Sequence, residues 1–207
     1  CQKHHVIVIS DEIHCDLTEP GKSYIPFASV SEACRNNSIT CIAPTKAFNM
    51  AGMQTAAVSV PNPVLRHKVW RGLNTDEIAE PNAFAVPAAV AAFTKGGAWL
   101  DALRAYVQQS KERVVQFVAQ ELPQLSVVPS EATYLLWLDC GKLGGDGAEI
   151  AQVIRRETGL YLSDGDQYGG NGNQFLRMNL ACPHSVVEDG LRRLKAGILA
   201  YQAQKNV

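Results

Sequence analysis

The 207-residue sequence contains no long apolar run, no excess of either charge, no paired-cysteine motif and no internal repeat or low-complexity tract. Its longest purely apolar stretches, such as Val6-Ile7-Val8-Ile9, are far too short to span a bilayer, and no charged segment followed by an apolar stretch opens the chain. A cytoplasmic setting is the default expectation. Lysine and arginine number 19 against 20 acidic residues, so no net field gathers nucleic acid or an anionic membrane. That balance favours a small-molecule ligand or a protein partner. The six cysteines, Cys1, Cys15, Cys34, Cys41, Cys140 and Cys182, show no C-x-x-C spacing and no local histidine pairing, which argues against a metal site. They read as reduced, mostly buried thiols serving as small apolar residues.

What is present is ample apolar material. At 46% hydrophobic and 19% charged residues, the chain can build one generous core or two modest ones. It starts without methionine a few residues before a strand, and is expected to be a piece of something longer. The β-branched run Val6 to Ile9 predicts a strand buried on both faces of a parallel sheet, followed at once by Ser10-Asp11-Glu12. Further strands are predicted at Ile39 to Ala43, leading into Pro44-Thr45-Lys46, and at Ala56 to Val60. Helical spacing takes over around Val64 to Trp70 and Ala83 to Phe93, ending at Gly96-Gly97. From Trp99, the recurrence of Leu100, Leu103, Val107, Val114, Phe117, Val118 and Leu122 predicts an amphipathic helix of about 24 residues, roughly 36 Å long and able to bridge two lobes.

A compact α+β pattern follows: a strand at Thr133 to Leu138, a helix from Ala148 to Glu157 stopped by Gly159, strands near Leu160 to Ser163 and Phe175 to Leu180, and a last helix. In that helix Ser185 and Glu188 form a capping box ahead of the stripe Val187, Leu191, Leu194 and Ile198. The glycine-rich stretch Gly165 to Gly172 is a loop of the kind that can fold over a ligand.

Three polar residues stand at informative places: Asp11 at a strand end, Lys46 just beyond the next strand, and Arg177 in a later one. Polar residues at the C-terminal edge of an α/β sheet are where ligands bind. Pyridoxal phosphate (PLP) chemistry needs this set: a lysine to carry the cofactor, a carboxylate to keep its ring nitrogen protonated, and a planar guanidinium to take a substrate carboxylate in bidentate fashion. Taken singly, each residue also has an ordinary reading, as a turn aspartate, a solvated lysine and a surface arginine.

The local sequence narrows the choice. The segments Ser10-Asp11-Glu12-Ile13-His14-Cys15-Asp16-Leu17 and Ala43-Pro44-Thr45-Lys46-Ala47-Phe48-Asn49-Met50-Ala51-Gly52 resemble the cofactor segment of class I/II aminotransferases, specifically the branch containing cystathionine β-lyases. Phe175-Leu176-Arg177-Met178-Asn179-Leu180-Ala181-Cys182-Pro183 resembles that branch's substrate-carboxylate motif, and Gly96 to Leu103 and Ala132 to Asp139 match between them. The resemblance covers essentially the whole chain, in order. It implies an α/β fold: part of a PLP-transferase large domain over residues 1–105, with a mainly parallel sheet and helices, then a small α+β domain over residues 106–207 entered by the long helix.

By the same resemblance, Lys46 carries the cofactor and then acts as the base on the substrate Cα proton, and Asp11 partners the pyridinium nitrogen. His14 takes the place of a tyrosine that bonds the cofactor's phenolic oxygen in many aminotransferases, although a histidine satisfying a local backbone group is the alternative. Arg177 receives the substrate carboxylate. Many members have a serine three positions before the lysine and an arginine eight positions after it; here these are Ala43 and Gln54, which leaves the phosphate to Thr45 and to groups outside this chain. Asn49, Tyr134 and Tyr168 border the pocket without assigned chemistry.

The family's glycine-rich phosphate turn, ring-stacking aromatic, asparagine and neighbouring-subunit tyrosine come from sequence ahead of Asp11 and are not found here. The chain alone is therefore expected to be inactive, and to show an open sheet edge and apolar faces that need a partner chain, a dimer or rearrangement. The expected reaction of the parent enzyme is cleavage of the Cβ–S bond of cystathionine or a related S-substituted cysteine, with no metal. The alternatives are a PLP-dependent aminotransferase and a PLP-sensing transcription regulator whose DNA-binding module lies upstream.

Overall fold

The computed structural model describes residues 1–205, and these divide into two compact units, Cys1–Arg104 and a second beginning at Ala105. The first unit holds strands β1 (Val8–Asp11), β2 (Ser38–Ile42) and β3 (Ala57–Ser59), with helices α1 (Glu32–Asn36), α2 (Pro63–Thr75) and α3 (Ala85–Lys95). The sheet order is β1-β2-β3. β1 and β2 run parallel with Asp11 opposite Cys41, whereas β3 returns antiparallel with Val58 opposite Cys41. The expected mainly parallel sheet is thus parallel in one pairing of two. The link from β2 to β3 carries only a 3-10 turn, Ala51–Met53, and no crossover helix, which is the connection an antiparallel neighbour requires.

The β-branched run is not buried on both faces. Val8 and Ser10 are half-buried, but Ile9 is 69% exposed, because among the described residues nothing packs on that side of β1. Val6 and Ile7 precede the strand; the Val6 N–H donates to the Cys1 carbonyl at 3.1 Å. Helix α2 starts where the sequence says it must. Asn62 accepts hydrogen bonds from the N–H groups of Val64 and Leu65, and Pro63 occupies the first helical position, where its missing N–H costs nothing.

Helix α4 (Gly97–Glu121) begins in the first unit and continues into the second. The second unit adds strands β4 (Ser126–Val127), β5 (Leu135–Asp139), β6 (Ser163–Asp164) and β7 (Phe175–Asn179), with helices α5 (Gly147–Thr158) and α6 (His184–Lys205). Its sheet is fully antiparallel in the order β4-β5-β7-β6. Alternation within β5 and β7 turns Leu136, Leu138, Leu176 and Met178 inward. There they join one core with Ile150, Val153 and Ile154 of α5, Leu191, Leu194 and Ile198 of α6, and Val114, Val118 and Leu122. The two helices meet at Gly197, where a Cβ would come within 2.8 Å of the Ile154 side chain, so only glycine allows the approach. Asp146 caps α5 by accepting from the Ala148 N–H, and Gly159 ends it at φ 74°.

The expected capping box of the last helix does not form. α6 starts at His184, the N–H groups of Val186 and Val187 donate to the Pro183 carbonyl, and Glu188 is drawn off by a two-point ion pair with Arg113. The cysteines are all free thiols, but of the six only Cys140 is fully buried; Cys1 is exposed and the others are half-buried. Among the described residues, no helix is long and apolar enough to cross a membrane.

Candidate active site

Asp11 and Lys46 reach the same edge of the sheet for separate local reasons. Asp11 is the last residue of β1, opposite Cys41 in the parallel register, and the Glu12 N–H donates to the Cys41 carbonyl at 2.9 Å, which locks the strand ends together. β2 stops at Ile42, and Pro44 then begins a turn in which the Phe48 N–H donates to the Pro44 carbonyl and the Met50 N–H to the Thr45 carbonyl. Within that turn Ala43, Pro44 and Ala47 are buried, Thr45 is half-buried and Lys46 is exposed.

The turn is nailed down by Phe48. Its ring packs edge-on against Phe93 at 5.7 Å and stacks on Trp99 at 5.8 Å. Gly96 makes room for it, since a Cβ there would lie 2.6 Å from the Phe48 ring and 2.4 Å from the Ala92 carbonyl oxygen. Beyond the turn, Asn49 and Gln54 both hold positive φ, 52° and 48°. Such strained backbone persists only where the surroundings enforce it, and it clusters at functional sites.

Asp11 does keep the ordinary turn role: one carboxylate oxygen accepts from the Ile13 N–H at 3.2 Å. Among the described residues its other oxygen accepts no hydrogen bond, and Lys46 and the Thr45 hydroxyl likewise have no polar partner. His14 sits half-buried in the turn after β1, where its carbonyl accepts from the Leu17 N–H at 3.0 Å. The buried neighbour missed in the sequence is Glu12, whose carboxylate accepts from the Ser10 hydroxyl at 2.9 Å and the Phe27 N–H at 3.0 Å and so ties the loop after His14 back to β1. The thiols nearby are passive. Burial, helped by the charges of Asp16 and Glu12, pushes Cys15 up to about 11, and burial and Asp11 raise Cys41.

Arg177 belongs to the second unit. It lies mid-β7 between Trp137 of β5 and Ser163 of β6, on the sheet face opposite the core. Among the described residues no carboxylate pairs with it; its polar contact is the Ser163 hydroxyl at 3.5 Å. Trp137 was also missed in the sequence, and the signal was there: period-two alternation that buries Leu136 and Leu138 turns a tryptophan outward beside an outward arginine. Tyr168 lies against the same pair, and the Tyr134 backbone carbonyl accepts from the Leu180 N–H at 2.8 Å. The structure therefore gathers Asp11, His14, Thr45 and Lys46 on the first unit and sets Arg177 in an aromatic surround on the second.

Comparison with known proteins identifies the family. The model of the family "aminotransferase class I and II" matches residues 1–194. The cystathionine β-lyase PatB of Bacillus subtilis (strain 168) is 40% identical over 198 residues, which is 96% of this chain and 51% of PatB. A PLP-bound protein from Clostridium difficile 630, assigned as an aminotransferase, superposes with a TM-score of 0.92 at 35% identity, over 96% of this chain and 51% of its own. Cystalysin from Treponema denticola, which contains PLP, superposes with a TM-score of 0.89 at 28% identity, over 93% of this chain and 49% of its own. The chain spans about half the length of the relatives it matches. It belongs to the aminotransferase class I and II family, and cystathionine β-lyases are among its relatives.

Proposed function

We propose that the full-length protein containing this chain is a PLP-dependent carbon–sulfur β-lyase acting on cystathionine or a related S-substituted cysteine. In this reading an S-substituted cysteine and water yield pyruvate, ammonia and a thiol. The observation that carries it is the placing of Asp11 and the Lys46 turn at one edge of two paired parallel strands. The residues there fit the cofactor: among the described residues, an amine with no carboxylate to neutralise it, a neighbouring hydroxyl at Thr45, and a carboxylate with one oxygen uncommitted.

When bound, PLP supplies a protonated pyridine ring that withdraws electrons from the substrate Cα. Asp11 would keep that ring nitrogen protonated by charge complementarity. Lys46 would hold the cofactor covalently, and its Nζ, when free, would take the Cα proton of the substrate. The electron pair left at Cα forms a bond to Cβ as the Cβ–S bond breaks and the thiolate leaves. His14 would donate to the phenolic oxygen, Thr45 would donate to the phosphate, and Arg177 would receive the substrate carboxylate through its planar N–H fork. Ala43 is buried and has no polar side-chain atom, and Gln54 carries no charge to offer a phosphate, so in this reading the rest of that cradle comes from outside this chain. We assign the first unit to a PLP-binding large domain, the second to a small domain, and the whole enzyme to a homodimer.

The test is pyruvate release from cystathionine by the full-length protein with no keto acid added. Pyruvate at a steady rate supports the lyase. No pyruvate, together with amino transfer once a keto acid is supplied, overturns it in favour of an aminotransferase.

A further inference from the structure

A partly buried arginine with no carboxylate beside it is an expensive thing to leave in a fold, unless something else holds it. What holds Arg177 is a ring. Its guanidinium carbon lies over Tyr168, 4.9 Å from the ring centre, and Tyr168 is itself braced edge-on against Trp137 at 5.2 Å, with Trp137 braced against Phe175 at 6.1 Å. Register puts Trp137 and Ser163 on either side of Arg177, so the cation sits in a slot with an indole wall, a hydroxyl wall and a phenol ring.

The position of Tyr168 is not accidental. It ends the 3-10 turn Asp166–Tyr168, and its N–H donates to the Gly165 carbonyl at 3.0 Å. The loop from 165 to 172 closes on itself at its base: a Cβ on Gly165 would fall 2.2 Å from the Gly172 oxygen, and one on Gly172 would fall 2.0 Å from the Gly165 oxygen. No other residue fits at either place. Gly169 and Gly170 take the positive φ values, 76° and 60°, that turn the chain directly after the tyrosine.

We propose that Tyr168 is a positioning residue for Arg177, ordering its guanidinium for a substrate carboxylate. A ring face attracts the cation through its quadrupole without offering an oxygen acceptor, so it holds the arginine and does not compete with an incoming carboxylate. A neighbouring Asp or Glu would do the opposite. Arginine has much rotamer freedom to lose on binding, and ordering it beforehand removes that cost from the binding step. This inference rests on the reading of Arg177 as the carboxylate receptor.

The test uses the full-length holoenzyme with two probes: KM and kcat for cystathionine, and the dissociation constant of L-alanine read from the change in cofactor absorbance. Tyr168→Ala should raise KM and the L-alanine constant by about 3- to 30-fold with kcat changed far less. Tyr168→Phe, which keeps the quadrupole and loses the hydroxyl, should stay within about 2-fold of the parent. Tyr168→Leu should resemble the alanine variant, and it carries the test if Tyr168→Ala does not fold. In an Arg177→Ala background the Tyr168 substitution should add nothing. Unchanged binding in Tyr168→Leu, or damage in Tyr168→Phe equal to that in Tyr168→Ala, overturns the inference alone. Unchanged L-alanine binding in Arg177→Ala overturns the reading beneath it.

Discussion

The two units are of nearly equal length and differ sharply in how they bury their apolar residues. In the first, the buried hydrophobic residues are Leu17, Ala43, Ala47, Val60 and Ala85, three of which are alanines, while Ile9, Ile25, Trp70, Phe84 and Val90 are exposed. In the second, a single core runs from Val114 through Leu138 and Ile154 to Tyr201. The difference separates two kinds of encoding. The second unit carries its own driving force, since burial of side chains such as these is worth about 1.5–3 kcal/mol each. The first carries a precisely shaped edge, with Asp11 and the Lys46 turn fixed by register and by the Phe48 ring nest, on a sheet that leaves apolar surface bare. Its proposed chemistry is local, and its bare apolar surface leads us to expect that its stability needs a covering partner.

Separate expression would break that comparison most forcefully. Residues 97–207 should unfold in one cooperative transition by circular dichroism, and residues 1–96 should not; a cooperative transition for the shorter piece would erase the distinction. Within the 207-residue chain, Leu138→Ala should cost about 2–5 kcal/mol in urea denaturation, because Leu138 is wholly buried. Ile9→Ala should cost no more than about 0.5 kcal/mol there, because its side chain is mostly in water. In the full-length protein we expect the Ile9 cost to rise towards the Leu138 value, and equal, small costs in both settings would mean that nothing covers β1.

Gly96→Ala probes the shaped edge directly. Its new methyl group would collide with the Phe48 ring and the Ala92 carbonyl, so a loss of about 1–3 kcal/mol is expected, together with weaker PLP retention by the full-length protein measured on dialysis. Full retention would show that the turn does not depend on Phe48. The smallest effect concerns charge. Arg113 holds the Glu188 carboxyl below the usual carboxylate range, and Arg193 and Arg192 do the same for Asp189. The folded chain therefore takes up these protons later than the unfolded chain, so the contribution is complete above the unfolded pKa of about 4 and is lost as pH falls through the lowered values. Glu188→Gln should flatten the acid side of a Tm-against-pH profile and leave the profile near neutrality only slightly lower, because the pair is solvent-exposed.

The sequence was most legible where one local rule acted alone. The helix that ends at Gly159, the long helix through Val107 and Val114, and the stripe of α6 are where periodicity and caps place them. Legibility failed where a distant partner decided. Ser185 and Glu188 spell a capping box, but Arg113, 75 residues away in sequence, claims the glutamate. The run Val6 to Ile9 spells a strand buried on both faces, and composition cannot say whether the covering layer lies within the chain. At the candidate site, the residues with a motif around them were readable, and alternation could have found Trp137, whereas the tie from Glu12 to Phe27 and the stacking of Tyr168 on Arg177 depend on contacts that only the fold brings together.

The central claim is that the cofactor is carried on Lys46 at the β1–β2 edge. Borohydride reduction of the full-length, PLP-loaded protein, followed by peptide mass spectrometry, reads the point of attachment directly. The account predicts a reduced pyridoxyl phosphate group on the peptide containing Lys46 and its loss in Lys46→Ala; attachment to any other lysine, or labelling that survives that substitution unchanged, would contradict it.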